Sequence, residues 1–446
     1  MRHYVRLAMI AATAALMIGI PFASHSQILS GLALERLGML YTPGTGARPV
    51  AMGGAYTAVS DDAFALLYNP AGLSQIRRKE LTFGFQHRSD EVTNTYLSLH
   101  ATQSSSHTSL GHISVVYPYP TYRGSLVLGF GVFQAGTSDL ESVKTAYLSD
   151  IGAMVENDYL QSGSIYQYHF GAGFDISPRL SLGGSIVLWD GSTAFTDKID
   201  YADADSAAYW KDQVDVNLDG VSFKLGLLLK ISEKLRAGLS FSSPVWLTYD
   251  GDGTTTYEGM YTGGDSGWTT DPDYGLIEDD YTLPMRFSGG LALSLSMLTL
   301  SGDLSYCDYS QAEYNGVAIT SELDPGMEHI LKETWDFHLG AEVTLPQAPI
   351  RFRGGFSYVP LELSMIEEIA YIAPVDEVRR VVADFEATRE RKFFTFGVGG
   401  LIEQVLTLDL GVVIGGYEKV TEDEAGDVLT EERSITEVIV SAAYRF

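Results

Sequence analysis

Long stretches of this chain alternate between apolar residues and polar or small ones. Residues 221–231 carry Val, Phe, Leu or Ile at every odd position and mostly Ser, Lys or Gly at the even positions. The same alternation recurs at 235–242, 285–295, 335–345 and 350–358. A period of two is typical of a β-strand with one apolar face. The chain is therefore predicted to be all-β.

The length and charge of these segments favour a transmembrane antiparallel β-barrel over a soluble sandwich. Most of the predicted strands run to about ten to thirteen residues, whereas strands average about five or six in soluble proteins and need about 9–11 to cross a membrane. Their apolar phase carries no charged residue, as expected where an Arg or Lys at the bilayer midplane costs roughly 2–4 kcal/mol. The residues predicted to face lipid near mid-membrane are Leu225, Leu239, Leu291 and Phe337. Replacing Ala292, on the opposite phase, with arginine is expected to destabilise the barrel less than replacing Leu291 with arginine.

The connections between the segments alternate between tight turns and long polar stretches. Outer-membrane barrels show this pattern because their periplasmic turns are short and their outer loops are long. The predicted outer loops are 135–163, 191–219, 244–283, 310–332 and 361–390. Both chain ends should be periplasmic, so the number of strands must be even. Assigning the weak run 93–101 to the first outer loop leaves about fourteen strands.

Composition and motifs narrow the possible functions. With 57 acidic and 29 basic residues the net charge is −28, which would repel a phosphate backbone and excludes nucleic-acid binding. One cysteine excludes a disulfide framework and a cysteine-rich metal site. The sequence contains no G-x-S-x-G, H-E-x-x-H or G-x-x-x-x-G-K motif. We therefore predict a protein that is not an enzyme and that has no cofactor and no metal site.

Both ends of the chain carry targeting features. Two arginines precede an apolar run over 7–20, and small residues at Ser24 and Ser26 fit a cleavage site, so residues 1–26 are predicted to be a signal peptide. The final strand ends in Phe446 on the apolar phase. A terminal aromatic resembles the signal that the bacterial barrel-assembly machinery reads, and that machinery is a predicted partner. The expected location is the bacterial outer membrane, with lipid and lipopolysaccharide as further partners.

Residues 27–78 lack the alternation and are predicted to form a hatch of short helices and turns inside a barrel spanning 79–446. The segment is apolar, and the lumen is the only large enclosed space that the rest of the chain can supply. One short helix is expected over 30–37, and Gly53 and Gly54 permit a sharp turn. A loose periplasmic tail is the alternative.

A second short helix is expected over 63–68. Ser60 is its predicted N-cap, and Asp61 and Asp62 would lie in its first turn, where acidic side chains favour the helix dipole. The helix should end at Asn69, because the residue before a proline avoids helical geometry.

The stretch 46–73 resembles the N-terminal signature of the FadL/TodX family of outer-membrane transporters for long-chain fatty acids and aromatic hydrocarbons, and a related signature occurs in PorV-like proteins. The matching elements are Asp61-Asp62-Ala63 and Asn69-Pro70-Ala71. The resemblance implies a fourteen-stranded barrel that captures hydrophobic ligands at its outer loops, here 191–219 and 244–283, and releases them when the hatch moves. The hatch residues expected to form the gate are Gly53, Gly54, Asp61, Asp62, Asn69, Pro70 and Ala71.

Two groups of side chains are candidates for ligand contact. The first comprises apolar hatch residues and cations on the lumen phase. The cations would either receive a ligand carboxylate or pair with lumen acids. The second comprises aromatic residues in an acidic outer segment, and these would either form an apolar groove or anchor the barrel at the membrane interface. The candidates are Phe64, Leu67, Lys224, Arg286, His338, Trp246 and Trp268. The predicted function is gated transport of hydrophobic molecules across the outer membrane. The alternative is a PorV-like role in secretion or surface attachment of other proteins.

Overall fold

The computed structural model describes most of the chain downstream of its first 43 residues. The described residues are 44–96, 99–137, 139–148, 153–202, 206–261, 267–269, 273–319, 331–362, 365–370, 379–384, 389–422 and 428–446. The predicted signal peptide and the predicted helix over 30–37 lie outside these residues. Of the predicted hatch, only 44–78 is described, and its boundaries stay predictions.

Within the described residues, 14 antiparallel strands form one closed barrel. They are β1 Glu80–Tyr96, β2 Leu99–Tyr119, β3 Leu126–Thr137 with Leu140–Leu148, β4 Ala153–Ser177, β5 Leu180–Ala202, β6 Ser206–Lys230, β7 Leu235–Ser242 with Val245–Tyr261, β8 Asp273–Leu283 with Arg286–Ser294, β9 Leu298–Asp308, β10 Glu333–Thr344, β11 Ile350–Val359, β12 Arg389–Ile402, β13 Leu406–Glu422 and β14 Val428–Arg445. Each strand pairs with its neighbours in sequence, and β1 closes the barrel against β14 from Glu80–Arg445 to Tyr96–Leu429. The predicted fold class and strand number are confirmed.

Short additional elements lie at the outer end of the barrel. They are the strands Gly267–Thr269, Glu313–Tyr314, Val317–Ala318, Met365–Ala370 and Arg379–Asp384 and the 3₁₀ turn Tyr309–Gln311. Among the described residues, no helix is both long enough and apolar enough to cross a bilayer.

The alternation predicted from sequence appears as an outer and an inner surface of the barrel wall. Leu225, Leu239, Leu291 and Phe337 are 52%, 58%, 55% and 40% exposed, as expected of side chains that point outward toward lipid. Ala292 on the opposite phase is fully buried and packs in the same apolar cluster as residues of the hatch. An arginine at Ala292 would have to displace what fills the lumen, so the burial of this position does not support the expectation that it costs less than an arginine at Leu291.

Within the described residues, three of the five predicted outer loops, 135–163, 191–219 and 244–283, are largely strand. β5 and β6 pair as far as Ala202 and Ala207, and β6 and β7 pair as far as Ser206 and Tyr261, so 191–219 and much of 244–283 extend the barrel wall. The described residues of the run 93–101 form the paired outer ends of β1 and β2. The physical reason is that a strand beyond the bilayer needs no apolar face. Its backbone hydrogen bonds continue after the alternation has disappeared.

An arginine on the lipid-facing surface should destabilise the barrel according to its depth. We expect Leu291→Arg to lower the free energy of unfolding by roughly 2–4 kcal/mol and an arginine near the interface to cost roughly 0–1 kcal/mol. Met297, in the periplasmic turn after β8, is 51% exposed and provides the matched Met297→Arg variant. Equilibrium urea unfolding in lipid vesicles measures both. Equal losses for the two variants would contradict the assigned membrane depth.

Candidate functional site

Residues 44–76, called the plug below, fill the barrel lumen with three short helical elements. They are α1 Ala47–Ala51, α2 Ala65–Tyr68 and the 3₁₀ helix Pro70–Gln75. Gly53 and Gly54 follow α1 with φ of +63° and +77°, a conformation that favours glycine, and they make the sharp turn expected at this point. Nearly every side chain of the plug is buried.

The start of α2 differs from the prediction. Ser60 does not cap a helix; its hydroxyl donates to the Tyr56 carbonyl oxygen at 2.7 Å. The helix begins at Ala65, and the Asp62 carboxylate accepts from the Phe64 backbone N–H at 3.1 Å. The helix has only four residues and offers little dipole. The acids bind a buried guanidinium instead, which gives stronger, charge-assisted hydrogen bonds.

That guanidinium belongs to Arg48, at the second position of α1. It contacts Asp61 at 2.5 Å, Asp62 at 3.0 Å and Glu342 of the barrel wall at 3.0 Å. Arg48 is 8% exposed and Glu342 is 6% exposed, so both charges are desolvated and each depends on the other. Arg48 therefore joins the two acids of the plug to the wall.

The ion network continues along the barrel wall, through β10, β11 and β13. Arg353 contacts Glu342 at 2.7 Å and Asp409 at 2.6 Å, and its side chain has no exposed surface. Glu342 thus accepts from one arginine of the wall and one of the plug. Such an arrangement stabilises the docked plug only while every member is paired.

Asn69 is the centre of a second set of contacts. α2 ends at Tyr68, as predicted, and Asn69 is extended, with φ −157° and ψ 102°. Its side-chain oxygen accepts from the Ala71 N–H at 3.1 Å, while its amide donates to the carbonyl oxygens of Thr57 at 2.8 Å and of Leu227 on β6 at 3.1 Å. Asn69 is fully buried. One side chain therefore closes the helix, joins two parts of the plug and fastens them to the wall.

The plug backbone is also held directly by wall side chains. Ser357 donates to the Gly53 carbonyl oxygen at 2.6 Å, and Thr395 accepts from the Gly53 N–H at 3.0 Å. Asp303 accepts from the Thr57 N–H at 2.7 Å. These bonds satisfy backbone groups that no water can reach, so breaking them costs more than an exposed hydrogen bond would.

Glycines on the inner wall let the plug approach closely. A Cβ at Gly183 would lie 2.3 Å from the Pro70 carbonyl carbon, and one at Gly238 would lie 2.3 Å from the Thr57 carbonyl oxygen. At Gly355 the nearest atom would be the Gly53 backbone nitrogen, at 2.2 Å. The wall and the plug backbone are therefore in contact at positions where no side chain fits.

The three candidate cations of the lumen all contact protein groups. Lys224 donates to the Leu67 carbonyl oxygen at the end of α2. His338 Nδ1 donates to the Gly53 carbonyl oxygen at 2.8 Å. Arg286 pairs with Asp336 and donates to the Tyr309 hydroxyl at 2.8 Å. Two of the three therefore hold the plug, and contact with a ligand stays a prediction for all three.

The apolar and aromatic candidates lie in different places. Phe64 is buried beside His112, with ring centroids 4.7 Å apart, and Leu67 is half-buried. Trp246 is 47% exposed on the outer face of β7, where it lines a groove of about 490 Å³ together with Val221. The Trp268 side chain lies outside the described part of the chain.

A second apolar cluster, called the outer cluster below, lies inside the barrel on the outer side of the plug. Sequence reasoning did not find it, because most of its residues occur in stretches predicted to be polar loops. Its buried members are Ile165, Val216, Leu218, Val245, Leu247, Tyr249, Tyr281, Leu283, Cys307, Tyr309, Ala312, Tyr314, Ile319 and Leu331. The rings of Tyr249 and Tyr281 are 4.9 Å apart, and those of Tyr281 and Tyr314 are 5.0 Å apart. The space inside the barrel beyond the plug is thus filled by apolar and aromatic side chains.

Asp62 gives the plug a pH-dependent contact. Burial raises the pKa of this plug carboxyl to about 6, and the nearby acids Asp61 and Glu80 raise it further. Arg48 lowers the pKa, and so does the Tyr56 hydroxyl, which donates to the Asp62 carboxylate at 2.5 Å. Because the docked pKa exceeds the usual value near 3.8, the docked plug binds a proton more tightly than an exposed Asp62 would. The contribution of this proton to the stability of the docked plug is absent above about pH 7 and grows as the pH falls through 6.

We therefore expect leakage of small ions through the barrel to decrease between pH 7.5 and pH 5. Planar-bilayer conductance measures it, and Asp62→Asn, which mimics the protonated carboxyl, should flatten this dependence. Asp61 does not interfere in this range, because Arg48 and Arg236 hold its pKa below the usual value against the effect of burial. Asp190→Asn, at an exposed position of β5, is the control and should retain the wild-type profile. An unchanged pH profile in Asp62→Asn would contradict the assignment.

A closed barrel of 14 antiparallel strands, apolar outside and filled by a hydrogen-bonded plug, defines a plugged transmembrane β-barrel of the FadL/TodX fold. The toluene transporter TodX of P. putida is 16% identical, with a TM-score of 0.63 over 91% of this chain and 99% of that one. A FadL homologue of Pseudomonas aeruginosa is 13% identical, with a TM-score of 0.59 over 91% and 99% of the two chains. The toluene transporter TbuX of Ralstonia pickettii is 15% identical, with a TM-score of 0.56 over 91% and 99%.

The chain belongs to the BamG family, whose model matches residues 12–321. The resemblance to FadL and TodX that residues 46–73 indicate is therefore one of fold, because the family that the chain belongs to has a different name. The PorV-like alternative has no support from these comparisons. No protein of curated function matches the sequence.

Proposed function

We propose that the protein carries small hydrophobic molecules across the bacterial outer membrane, through the barrel lumen and past a plug that moves. The outer cluster is the observation that carries this proposal. Water-filled porins have a polar lumen, whereas here tyrosines, leucines and valines lie between the plug and the outer mouth. An apolar lining favours apolar solutes and excludes ions.

The favoured substrate class is neutral and aromatic rather than a long-chain carboxylate. Arg286 is already paired with Asp336, and Lys224 and His338 are hydrogen-bonded to the plug. A carboxylate would have to displace one of these bonds, while stacked tyrosine rings suit an aromatic solute without charge. The relatives of similar fold include toluene transporters and a monoaromatic hydrocarbon channel, which is consistent with this choice.

Movement of the plug is the second part of the proposal. The gate residues expected from sequence contact both wall and plug: Gly53 and Asn69 are hydrogen-bonded to the wall, and Asp61 and Asp62 bind Arg48. Opening would break these bonds together. A gate of this kind opens only when the free-energy difference between its two states is small.

Uptake by whole cells tests the proposal, because lipopolysaccharide slows entry of hydrophobic solutes through the outer leaflet. Cells without their own channel of this type should accumulate radiolabelled toluene faster when they express the protein, and labelled oleate should show a smaller gain. Leu247→Asn, at a buried position of the outer cluster, should reduce toluene uptake. Thr248→Asn, at the adjacent exposed position, is the matched control and should not.

Heat-modifiable gel mobility establishes that each variant is a folded barrel before uptake is compared. Toluene uptake equal to that of cells without the protein would contradict transport. Equal uptake by the Leu247 and Thr248 variants would contradict a path through the outer cluster.

A second candidate function is association with the barrel-assembly machinery, which the BamG family name favours. Phe446 is available for such a contact, since it is 57% exposed at the periplasmic end of the barrel beside Lys79. Affinity purification in mild detergent should then recover the machinery's subunits in fixed proportion to the protein. Recovery only from cells in which the protein is still being synthesised would instead indicate an ordinary substrate of the machinery.

A further inference from the structure

A polar cavity of about 190 Å³ opens at the periplasmic mouth of the barrel, between plug and wall. Four arginines line it: Arg48 of the plug, Arg236 near the start of β7, Arg351 near the start of β11 and Arg445 at the end of β14. Each wall arginine lies within two residues of a periplasmic turn or chain end. The cavity is thus on the opposite side of the plug from the outer cluster.

The charges around this cavity are not balanced. Two carboxylates line it against the four guanidiniums, those of Asp61 and Glu342, and both are bound to Arg48. Arg445 is bound to Glu80 at 2.6 Å, behind the cavity surface. Two of the four guanidiniums therefore make no direct ion pair with a carboxylate of the described residues, although one of them also acts on Asp61 at longer range.

These two are Arg236 and Arg351. Arg236 donates to the neutral side-chain oxygen of Gln75 at 2.6 Å. Arg351 is half-buried and makes no hydrogen bond or ion pair within the described residues. Cations gathered in a confined space repel one another, and in a chain of net charge −28 such a cluster does not follow from composition.

We propose that this cavity is a binding site for an oxyanion group, a phosphate or a carboxylate, held by Arg236 and Arg351 of the wall and facing Arg48 of the plug. The planar guanidinium presents paired N–H donors that match both groups. The cavity admits such a group but not the acyl chains of a lipid. Because Arg48 belongs to the plug and the other two belong to the wall, a bound oxyanion would join the two and favour the docked plug. The site does not depend on what the lumen transports.

Isothermal titration calorimetry of the full-length protein in a non-ionic detergent tests the site. Inorganic phosphate is the probe, with ionic strength held constant by sodium chloride. We expect saturable binding of phosphate and about tenfold or greater weakening in the Arg236→Gln/Arg351→Gln variant. Arg179→Gln, in the exposed turn before β5, is the matched control and should bind as the wild type does. Heat-modifiable mobility verifies folding, and the single Arg351→Gln variant serves if the double variant does not assemble.

Two further titrations distinguish the sources of the group. Acetate binding comparable to phosphate indicates a site for free small oxyanions, whereas tighter binding of dihexanoyl phosphatidylglycerol than of phosphate indicates a lipid headgroup, and either supports the proposal. Absence of saturable binding for all three probes would overturn it. Unchanged phosphate affinity in the arginine variants would overturn it as well.

Discussion

Replacing Gly355 with alanine should displace the plug and make the barrel leak, whereas the same change at the adjacent Gly354 should do neither. A Cβ at Gly355 would lie 2.2 Å from the Gly53 nitrogen and 2.5 Å from the Met52 carbonyl carbon. Both atoms belong to the backbone of the plug, so no side-chain rotation relieves the overlap. At Gly354 the nearest atom would be the Thr395 carbonyl oxygen, at 3.9 Å.

The overlap at Gly355 cannot be relieved without loss of other contacts. Gly53 is held at the wall by Ser357 and Thr395, and moving it away breaks both of these buried hydrogen bonds. Each buried group left unpaired costs about 1–3 kcal/mol. The expected loss is therefore several kcal/mol of docking free energy, without removal of any charge.

Release of a small polar dye from liposomes measures the effect on the seal. Both glycine variants should show the heat-modifiable mobility of a folded barrel, and only Gly355→Ala should release the dye quickly. Similar release from the two variants would mean that the close contact between β11 and the plug does not maintain the seal.

Replacing Asn69 with alanine should open the plug by a different route, through loss of hydrogen bonds without a steric clash. The change removes the bonds to the Thr57 and Leu227 carbonyl oxygens and to the Ala71 N–H, of which the first and third are buried and the second is partly buried. At about 1–3 kcal/mol for each unpaired buried group, the loss exceeds what a gate of small free-energy difference tolerates. Conductance in planar bilayers should rise well above that of the wild type.

Two further variants separate the contributions at this site. Asn69→Asp keeps an acceptor for the Ala71 N–H but removes both donors, so its conductance should also rise. Leu67→Ala shortens a half-buried plug side chain while its carbonyl oxygen still accepts from Lys224, and it should remain close to the wild type. Wild-type conductance for both Asn69 variants would show that this residue does not keep the plug closed.

The alternating segments were predictable from sequence because the bilayer allows no other pattern. A strand that crosses lipid must place apolar residues on one face, so the outward direction of Leu225 or Leu291 can be read from the phase alone. The turn at Gly53 and the end of α2 at Asn69 were also predictable, since glycine and an Asn-Pro step restrict the local backbone.

The site itself depended on contacts between residues distant in sequence. Arg48 binds Glu342, 294 positions away, and no local pattern associates them. The sequence predicts Asp61 and Asp62 in the first turn of a helix because nothing nearby in sequence shows that a buried guanidinium lies within reach. The inner-wall glycines appear in sequence as ordinary small residues of the polar phase.

The residue pattern along the chain is therefore enough to predict the barrel, its lipid-facing surface and the turns of the plug, because the bilayer and the backbone act on each residue locally. How the plug is held, how far the strands extend beyond the membrane and where arginines gather at the periplasmic mouth depend on the three-dimensional arrangement of the strands. The physical reason is that barrel closure brings β1 against β14 and places the plug among side chains from many strands. Which charges and hydrogen-bonding groups then meet is a property of that enclosed space.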